Sequence, residues 1–294
     1  MRVNIRGVLP GDRDEIIRIS SRIWEGEDYI PFVFDEWARD DNSFFACAEI
    51  DGHIAGFGRY VRIANGYAWL EGLRVDPVYQ GYGIGKALTN FFIELGMKEC
   101  VKSLALSTYI DNRASIHIIE KKGFVKVAEF VYCKAERNYR FFEKEQIHFI
   151  ENIDACILHT FIKNSSFITS SGSYFPYGWR FINTKFDLKP ILEKTNFALG
   201  YSKNREITGV ACGGEVIKNS GILDIFFIDG TEEAVLNLAK GVLNFLEKYH
   251  TIEFMIPVLD GQPIEAINVL KQLKVENYNN YAPDVFVYEK SLLT

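Results

Sequence analysis

Three features are scarce in this sequence, and each absence excludes a class of protein. Its 33 Lys and Arg stand against 39 Asp and Glu, which gives a net charge of −6. Nucleic-acid binding needs a basic face, so the balance argues against a nucleic-acid partner. Its five cysteines are scattered without a C-x-x-C pair, so we expect reduced thiols and predict no metal site.

Long apolar runs are also missing. No stretch approaches the length that crosses a bilayer, and the first residues alternate like a strand without the apolar core of a signal peptide. We therefore expect a soluble, cytoplasmic protein with no membrane partner. A homo-oligomer is compatible with the sequence.

What is present suits packed cores. Hydrophobic residues make up 48% of the 294 positions, a length that favours two domains. In the first half, apolar periodicity and turn signals predict strands over 3–8, 44–50, 53–63, 67–75, 103–107 and 124–133, with helical segments over 13–23, 25–41, 83–99 and 112–122. The order predicts an α/β fold, a mixed and mostly antiparallel sheet with flanking helices.

A related order recurs in the second half. Strands are predicted over 197–201, 207–216, 221–228, 251–258 and 284–288, and helices over 150–163, 234–249 and 263–273. Leu73–Asp76 before one helix parallels Phe226–Asp229 before another. A weak internal duplication explains this, and two unrelated α/β domains are the alternative. We place the domains at residues 1–140 and 141–294.

A glycine-rich turn follows the strand over 67–75 and opens the next helix. It reads Gln80-Gly81-Tyr82-Gly83-Ile84-Gly85-Lys86. Glycines let the backbone approach a ligand closely, and a helix start presents unpaired amides that suit a pyrophosphate. The spacing is neither that of a Walker loop nor G-x-G-x-x-G. A purely structural turn is the alternative.

These residues resemble motif A of the GNAT superfamily of N-acetyltransferases, [QR]-x-x-G-x-[GA], with Gln80, Gly83 and Gly85 at its fixed positions. A second block, Asn112-Arg113-Ala114-Ser115 followed by Gly123-Phe124, resembles the family's motif B. The resemblance covers about the first 135 residues. It implies acetyl-CoA as the cofactor and two GNAT-like domains in tandem, the first intact and the second degenerate.

The resemblance also implies how the cofactor is held. In this family the fourth and fifth strands splay apart, and the pantetheine arm pairs with the exposed backbone. Carried over by position, the cofactor-binding residues are Leu73, Arg74, Val75, Gln80, Gly81, Tyr82, Gly83, Ile84, Gly85, Lys86, Asn112 and Ser115. The amide of Val75 is expected to bond the thioester oxygen.

Acetyl transfer to an amine needs a group that removes a proton, because a primary amine is protonated near neutral pH. Glu71 is the candidate base, since side-chain alternation places it on the face shared by Leu73 and Val75. A strand carboxylate paired with a nearby arginine is the alternative. Many relatives carry a tyrosine as general acid where this chain has Ile119, so Tyr109 or Tyr132 is the predicted substitute.

An acidic and aromatic segment over 25–41 is expected to line the acceptor cleft. The resemblance and the charge pattern favour a small-molecule amine, with substrate-binding candidates Trp24, Asp28, Tyr29 and Glu36. An amphipathic helix with a solvated acidic face is the alternative. Tyr29-Ile30-Pro31, Trp37 and Glu71–Val75 are similar to the tandem members that include histidine N-acetyltransferases.

The second half lacks the glycine turn. At the matching place it has Asp229-Gly230-Thr231-Glu232-Glu233, whose carboxylates would repel a pyrophosphate. We predict a degenerate domain without the pyrophosphate loop. A non-catalytic acyl-CoA sensor, favoured by Ile119, and a longer acyl donor remain alternatives to acetyl transfer.

Overall fold

The computed structural model describes residues 3–23, 26, 28–64, 66–139, 149–151, 153–186, 188–259 and 262–292. The chain divides into two compact units. The first comprises residues 1–108, 112–126 and 288–294, and the second comprises 109–111 and 127–287. The predicted boundary at residues 140 and 141 lies outside the described residues. In the described ranges, no helix has both the length and the apolar character needed to span a membrane.

The first unit begins with a strand and two short helices, continues as a strand meander, and then alternates helices and strands. Its elements are β1 (Asn4–Gly7), α1 (Arg13–Ser20), α2 (Ile30–Trp37), β2 (Ser43–Ile50), β3 (His53–Ala64), β4 (Tyr67–Val75), α3 (Ile84–Lys98), β5 (Ser103–Tyr109), α4 (Arg113–Lys121) and the start of β6 (Val125–Glu136). The final residue of β5 and most of β6 are assigned to the second unit.

The strands of the first unit follow the order β1-β2-β3-β4-β5. Neighbours are antiparallel except for β4 and β5, which run parallel. This parallel pair is connected through α3, as a crossover between parallel strands requires. Large side chains including Phe34, Phe57, Trp69 and Phe92 are almost fully buried and form the core of this unit.

The second unit repeats the order with more short elements in its first part. They are β7 (Ile150–Glu151), α5 (Ala155–Lys163), α6 (Ser166–Ser170), β8 (Tyr174–Tyr177), β9 (Arg180–Asn183), α7 (Lys189–Leu192), β10 (Phe197–Lys203), β11 (Glu206–Gly214), β12 (Ile222–Gly230), α8 (Glu232–Leu243), β13 (Thr251–Leu259), β14 (Gln262–Pro263), α9 (Glu265–Gln272) and β15 (Val285–Ser291).

The larger sheet of the second unit has the order β6-β13-β12-β11-β10-β7, and β8 and β9 form a separate hairpin. Again one pair, β12 and β13, is parallel and is joined by a helix, α8. Strand β15 belongs to both units, with Val285–Val287 in the second and the residues from Tyr288 onward in the first. The succession β4-α3-β5-α4 thus recurs as β12-α8-β13-α9.

The predicted α/β class is confirmed: in both units the strand pairs are mostly antiparallel, and helices accompany the strands. Three helical predictions are wrong at their ends. The helix predicted over 234–249 ends at Leu243 as α8, and a short 3-10 helix follows it. The helix predicted over 150–163 starts at Ala155, because Ile150–Glu151 pairs with β10 as a strand. The helical region predicted over 25–41 holds only α2 among its described residues, Ile30–Trp37, with a proline in its first turn.

Candidate functional site

Strands β4 and β5 separate in the first unit. Their parallel pairing covers only Tyr67–Trp69 opposite Ser103–Ala105, although β4 continues to Val75. From Leu70 to Val75 the described part of β4 keeps β3 on one side and has no strand partner on the side of β5. We call this stretch the β4 open edge. An extended molecule can pair with such an edge as an added strand.

A glycine shapes the middle of the β4 open edge. Gly72 has φ of +65°, a left-handed backbone conformation that disfavours other residues, and the ladder to β3 shifts register nearby. A Cβ there would lie 2.7 Å from the ring of Trp37 on α2. Only glycine therefore allows both the bend in β4 and the close approach of α2.

The glycine turn ends at an open helix start. Gly81 and Gly83 have φ of +83° and +79°, and a Cβ on either would meet no atom within 4 Å. Gly83 is the N-cap of α3 and provides no capping side chain. Among the described residues, the amides of Gly81, Gly83, Ile84, Gly85 and Lys86 make no hydrogen bond. Five backbone donors thus point from a helix start with a positive dipole end.

Packing fixes this helix start against the β4 open edge. Ile84 and Gly85 are buried, and a Cβ on Gly85 would lie within 3.4–3.8 Å of side-chain atoms of Ile118, Val75 and Leu73. Gln80, Tyr82 and Lys86 are exposed beside it. The start of α3, two edge residues of β4 and helix α4 therefore converge on one place.

The motif B residues form the start of α4. Asn112 is its N-cap, and its side-chain oxygen accepts a hydrogen bond of 3.3 Å from the amide of Ser115. Asn112 is exposed and Ser115 is half-buried. Ile119, at the position where relatives have tyrosine, is 3% exposed and packs in the core.

Glu71 lies on β4 in a charged cluster. Its Oε1 accepts a hydrogen bond of 2.9 Å from Nη1 of Arg59, the residue opposite it on β3. The same guanidinium donates to Asp40 through Nη2 and to Ser43 Oγ through Nε at 3.1 Å. The structure thus places the predicted base in an ion pair, the arrangement that the alternative interpretation describes.

The acceptor candidates fall into three environments. Asp28 is 3% exposed and accepts two hydrogen bonds, of 3.0 and 3.1 Å, from Arg74, which is itself buried. Tyr29 lies beside that pair, with its ring 5.8 Å from Trp37 and 5.6 Å from the Arg74 guanidinium. Glu36 is exposed on α2. The prediction for Trp24 lies outside the described residues.

The two candidate acids, Tyr109 and Tyr132, are neighbours in the second unit, with ring centroids 6.0 Å apart. Trp179 packs against both rings. Burial, followed by the charge of a nearby carboxylate, raises the pKa of each hydroxyl above its ordinary value. The Tyr132 hydroxyl donates to Glu253 at 2.7 Å. A raised pKa makes each a weaker proton donor than an ordinary tyrosine.

The second unit has its own pair of separating strands. The pairing of β12 with β13 ends at Ile225 opposite Phe254, although β12 continues to Gly230. Beyond that point α6 packs on both strands. Both carboxylate oxygens of Asp229 accept from Ser166 Oγ, and one also accepts from the amide of Phe167. Short elements of the chain itself therefore cover this edge.

The helix start of the second unit is also closed. Thr231 is the N-cap of α8, and its side chain accepts from the amide of Ala234 at 3.3 Å. Glu232 and Glu233 occupy the first turn. A side-chain cap and two carboxylates take the place that open amides have at α3.

An open cavity of about 680 Å³ lies in the second unit, between α5, the start of α6 and the end of β12. Its lining is apolar and small-polar, including Ile157, Phe161 and Ser165, and its one charged residue, Asp229, is engaged as described above.

Arg59 and Asp40 were not singled out as site residues from the sequence. One signal in the sequence could have identified Arg59. Phe57, Arg59 and Val61 stand at every second position of an apolar strand and are therefore expected to share a face, and an arginine on a buried face needs a carboxylate partner. Its partners could not be named, because the β3–β4 register shifts between Phe57 and Arg59.

Comparisons with known proteins agree with this geometry. The sequence model described as "Acetyltransferase (GNAT) family" matches residues 13–124. The chain is 30% identical over 151 residues to an N-alpha-acetyltransferase of Sulfurisphaera tokodaii, covering 46% of this chain and 89% of that protein. It is 36% identical over 83 residues to histidine N-acetyltransferase of Xenopus tropicalis, covering 28% of this chain and 26% of that protein.

The match to an uncharacterized N-acetyltransferase of Methanocaldococcus jannaschii is 27% identical over 140 residues, with 41% of this chain and 59% of that protein covered. The chain thus spans less than two thirds of the length of several curated relatives. Among solved structures, a tandem GNAT protein from the clavulanic acid biosynthesis pathway is similar over 100% of this chain and 99% of its own, with a TM-score of 0.64 and 11% identity. That likeness confirms the predicted tandem fold.

Proposed function

The chain belongs to the acetyltransferase (GNAT) family, and from that premise we propose that its first unit is an N-acetyltransferase acting on a primary amine with acetyl-CoA as donor. One observation carries the proposal. The β4 open edge and the open start of α3 meet at Gly85, so an extended arm and a diphosphate can be held at adjoining places.

The residues present fit coenzyme A. The five open amides of the glycine turn and the start of α3 suit the diphosphate, and side chains at Gly81 or Gly83 would fill the space in front of them. Backbone groups of Leu73, Arg74 and Val75 suit the pantetheine arm. Gln80, Tyr82, Ile84, Asn112 and Ser115 complete the set that we propose for cofactor binding.

When bound, acetyl-CoA supplies an acetyl group activated as a thioester. The amide of Val75 donates to the oxygen on which negative charge develops. Glu71 accepts, directly or through water, the proton that the amine loses as its nitrogen–carbon bond forms and the carbon–sulfur bond breaks. The leaving thiolate is a good leaving group (free Cys pKa about 8.5), so proton donation by Tyr109 or Tyr132 is helpful rather than essential.

The acceptor is proposed to be an amino acid or another small amine. A relative named histidine N-acetyltransferase supports that class. Tyr29 and Glu36, with Trp24, are the proposed contacts with the amine. Because Asp28 is buried against Arg74, its part in acceptor binding is to hold the β4 end of this region in place.

The second domain, over residues 141–294, is proposed to be degenerate, and catalysis to belong to residues 1–140. The capped, acidic start of α8 and the covered edge of β12 support this division of roles. One coenzyme A per chain is the consequence.

A non-catalytic acyl-CoA sensor is the second candidate. The buried Ile119, where relatives place a tyrosine acid, favours it. Such a protein would keep the open amides of α3 and lose turnover. A longer acyl donor is a further variant of the catalytic proposal.

Two measurements on the full chain test these proposals. Isothermal titration with acetyl-CoA is expected to give one site per chain, and two sites would contradict the degenerate domain. A library of amines, histidine included, is then incubated with protein and acetyl-CoA, and products are read by mass spectrometry. Binding without any acetylated amine would favour the sensor, and no binding would remove both candidates.

A further inference from the structure

Arg59 is a charged residue in the middle of an apolar strand. Its side chain is 2% exposed, and its neighbours across the sheet are Phe45 on β2 and Glu71 on β4. A guanidinium removed from water is costly unless its donors are satisfied. The hydrogen-bond partners of Arg59 therefore allow it to occupy this buried position.

Three side chains hold the guanidinium from different elements. Nη1 donates to Glu71 at 2.9 Å, Nη2 donates to Asp40, and Nε donates to Ser43 Oγ at 3.1 Å. The guanidinium carbon also lies 4.6 Å from the ring centroid of Trp37. A planar donor group fixed on three sides and packed against a ring has one orientation.

Among the described side chains, the Arg59 guanidinium faces two carboxylates, that of Asp40 before β2 and that of Glu71 on β4. Arg62, farther along β3, also interacts electrostatically with Asp40, but its side chain donates to Glu99, at the end of α3, and to the backbone oxygen of Asp41. Burial alone would raise the pKa of Asp40, yet the amide of Asn42 and the charge of Arg59 hold it below its ordinary value.

Resting on the proposed function, we propose that Arg59 is a positioning residue, which fixes the Glu71 carboxylate beside the β4 open edge and ties it to the connection between α2 and β2 through Asp40. A glutamate side chain has three rotatable torsions, and one fixed oxygen removes most of that freedom. Geometry matters because a displacement of about 1 Å at a reacting group can lower a rate about 100-fold.

The test compares Arg59→Met, which removes the donors and the charge, with Arg59→Lys, which keeps the charge. For Arg59→Met we expect kcat to fall about 100-fold, with KM for acetyl-CoA within twofold of wild type. The acidic limb of the kcat/KM profile should move to higher pH by about one unit, because a nearby cation favours an ionised carboxylate. Arg59→Lys should restore the limb and part of kcat.

Arg62→Met is the matched control, because it breaks an arginine–glutamate pair on the same strand and should leave the pH profile unchanged. If Arg59 acts through Glu71, Arg59→Met should cost nothing further in a Glu71→Gln background. Two results would contradict the positioning role of Arg59 and leave the proposed function intact. One is a lowered kcat in Arg59→Met without a shift in the acidic limb of the pH profile, and the other is additive losses of kcat in the double variant Arg59→Met/Glu71→Gln. Absence of amine turnover in wild type would overturn the proposed function and this inference with it.

If Arg59→Met does not fold, the variants Arg59→Lys and Asp40→Asn test the proposal instead. Asp40→Asn removes a partner of Arg59 without touching Glu71, and we expect kcat to fall about 10-fold with acetyl-CoA affinity by titration unchanged. Wild-type kcat in both variants would contradict the proposal.

Discussion

Both units contain a parallel strand pair whose strands separate, but the freed strand edge is open in the first unit and covered in the second. In each, a parallel strand pair separates before the first strand ends, at Trp69 in β4 and at Ile225 in β12. In the first unit the freed edge adjoins an uncapped helix start. In the second, α6 covers the edge and Thr231 caps the helix. Separation of the strands is thus common to both units, whereas an open strand edge beside an open helix start is found, among the described residues, in the first unit.

Matched positions sharpen the contrast. With Asp76 set against Asp229, Arg74 corresponds to Phe227 and Glu71 to Asp224. Arg74 binds Asp28, whereas the Phe227 ring packs 5.0 Å from that of Phe167. Charge pairing was thus replaced by ring packing at one position.

The second matched position differs in its counter-ion. Glu71 has Arg59 opposite it on its antiparallel neighbour, whereas Asp224 has Gly214 on its antiparallel neighbour and Glu253 on its parallel neighbour. Burial, and then the charge of Glu253, raises the pKa of Asp224 well above its ordinary value. Burial likewise raises the pKa of Glu253. The first unit thus pairs its strand carboxylate with a guanidinium, whereas the second places its strand carboxylate beside another carboxylate.

The largest expected effect is on the free energy of unfolding, through the buried ion pair of Asp28 and Arg74. Asp28→Asn removes the buried carboxylate that accepts two hydrogen bonds from the Arg74 guanidinium, and we expect the free energy of unfolding to fall by about 3–5 kcal/mol. Urea denaturation measures this. The double variant Asp28→Asn/Arg74→Met should recover most of the loss. A single variant as stable as wild type would contradict the importance of this pair.

Next comes the open helix start. Gly83→Val places a branched side chain in front of the α3 amides and should weaken acetyl-CoA about 100-fold, or ~2.7 kcal/mol, by titration. Gly52→Val is the control, since Gly52 has a similar φ of +82° and equally open space in the β2–β3 turn. It carries the same backbone strain and should leave affinity intact. Equal losses in both would remove the cofactor site.

The matched carboxylates should respond with opposite signs. Asp224→Asn removes a buried carboxyl group whose ionised form is disfavoured, and it should stabilise the protein at neutral pH by about 1–2 kcal/mol. Glu71→Gln weakens the ion pair with Arg59 and should destabilise the protein by about the same amount. Because the folded pKa of Asp224 is raised, its contribution is present at low pH and is lost as pH rises through that pKa.

Denaturation across pH 4–8 tests this pair of variants. The fall in stability with rising pH should be shallower in Asp224→Asn than in wild type. The same sign for both substitutions at neutral pH would show that the two positions are not electrostatically distinct.

The smallest effect concerns the acceptor side. Glu36 is exposed, so Glu36→Gln should raise KM for a cationic amine only about twofold at low salt, and the difference should vanish at high salt. Glu232→Gln, at the start of α8, is the control in the second unit and should leave KM unchanged. If Glu36→Gln leaves KM unchanged at low salt, the result would favour the alternative interpretation, in which α2 is an amphipathic helix with a solvated acidic face.

Sequence patterns predicted what is local. Strand β4 was predicted with the bounds that it has, because an apolar run lies between Gly66 and Asp76-Pro77. The fold class followed from the order of such runs. The glycine turn was located for the same reason, since its spacing and its helix are contiguous in the chain.

The features that the sequence did not predict are contacts between residues far apart in the chain and elements of only four or five residues. The Arg74–Asp28 pair joins residues 46 apart, and the Arg59–Glu71 pair depends on a register that a bulge shifts. The five residues of α6 and the four-residue strands β8 and β9 are too short to show a period. Because α6 covers the edge of β12, that part of the difference between the units could not be predicted, whereas the missing glycine turn could be seen in the sequence.

The shared strand β15 bears on how the protein is made. The first unit is assembled from residues up to Lys126 together with those from Tyr288 onward. At 5–20 residues per second, a ribosome needs roughly 10–30 s to travel between those points. During that interval the nascent first unit lacks its final strand segment, so a gene fragment that encodes only the glycine turn and its surroundings would yield an unfinished sheet.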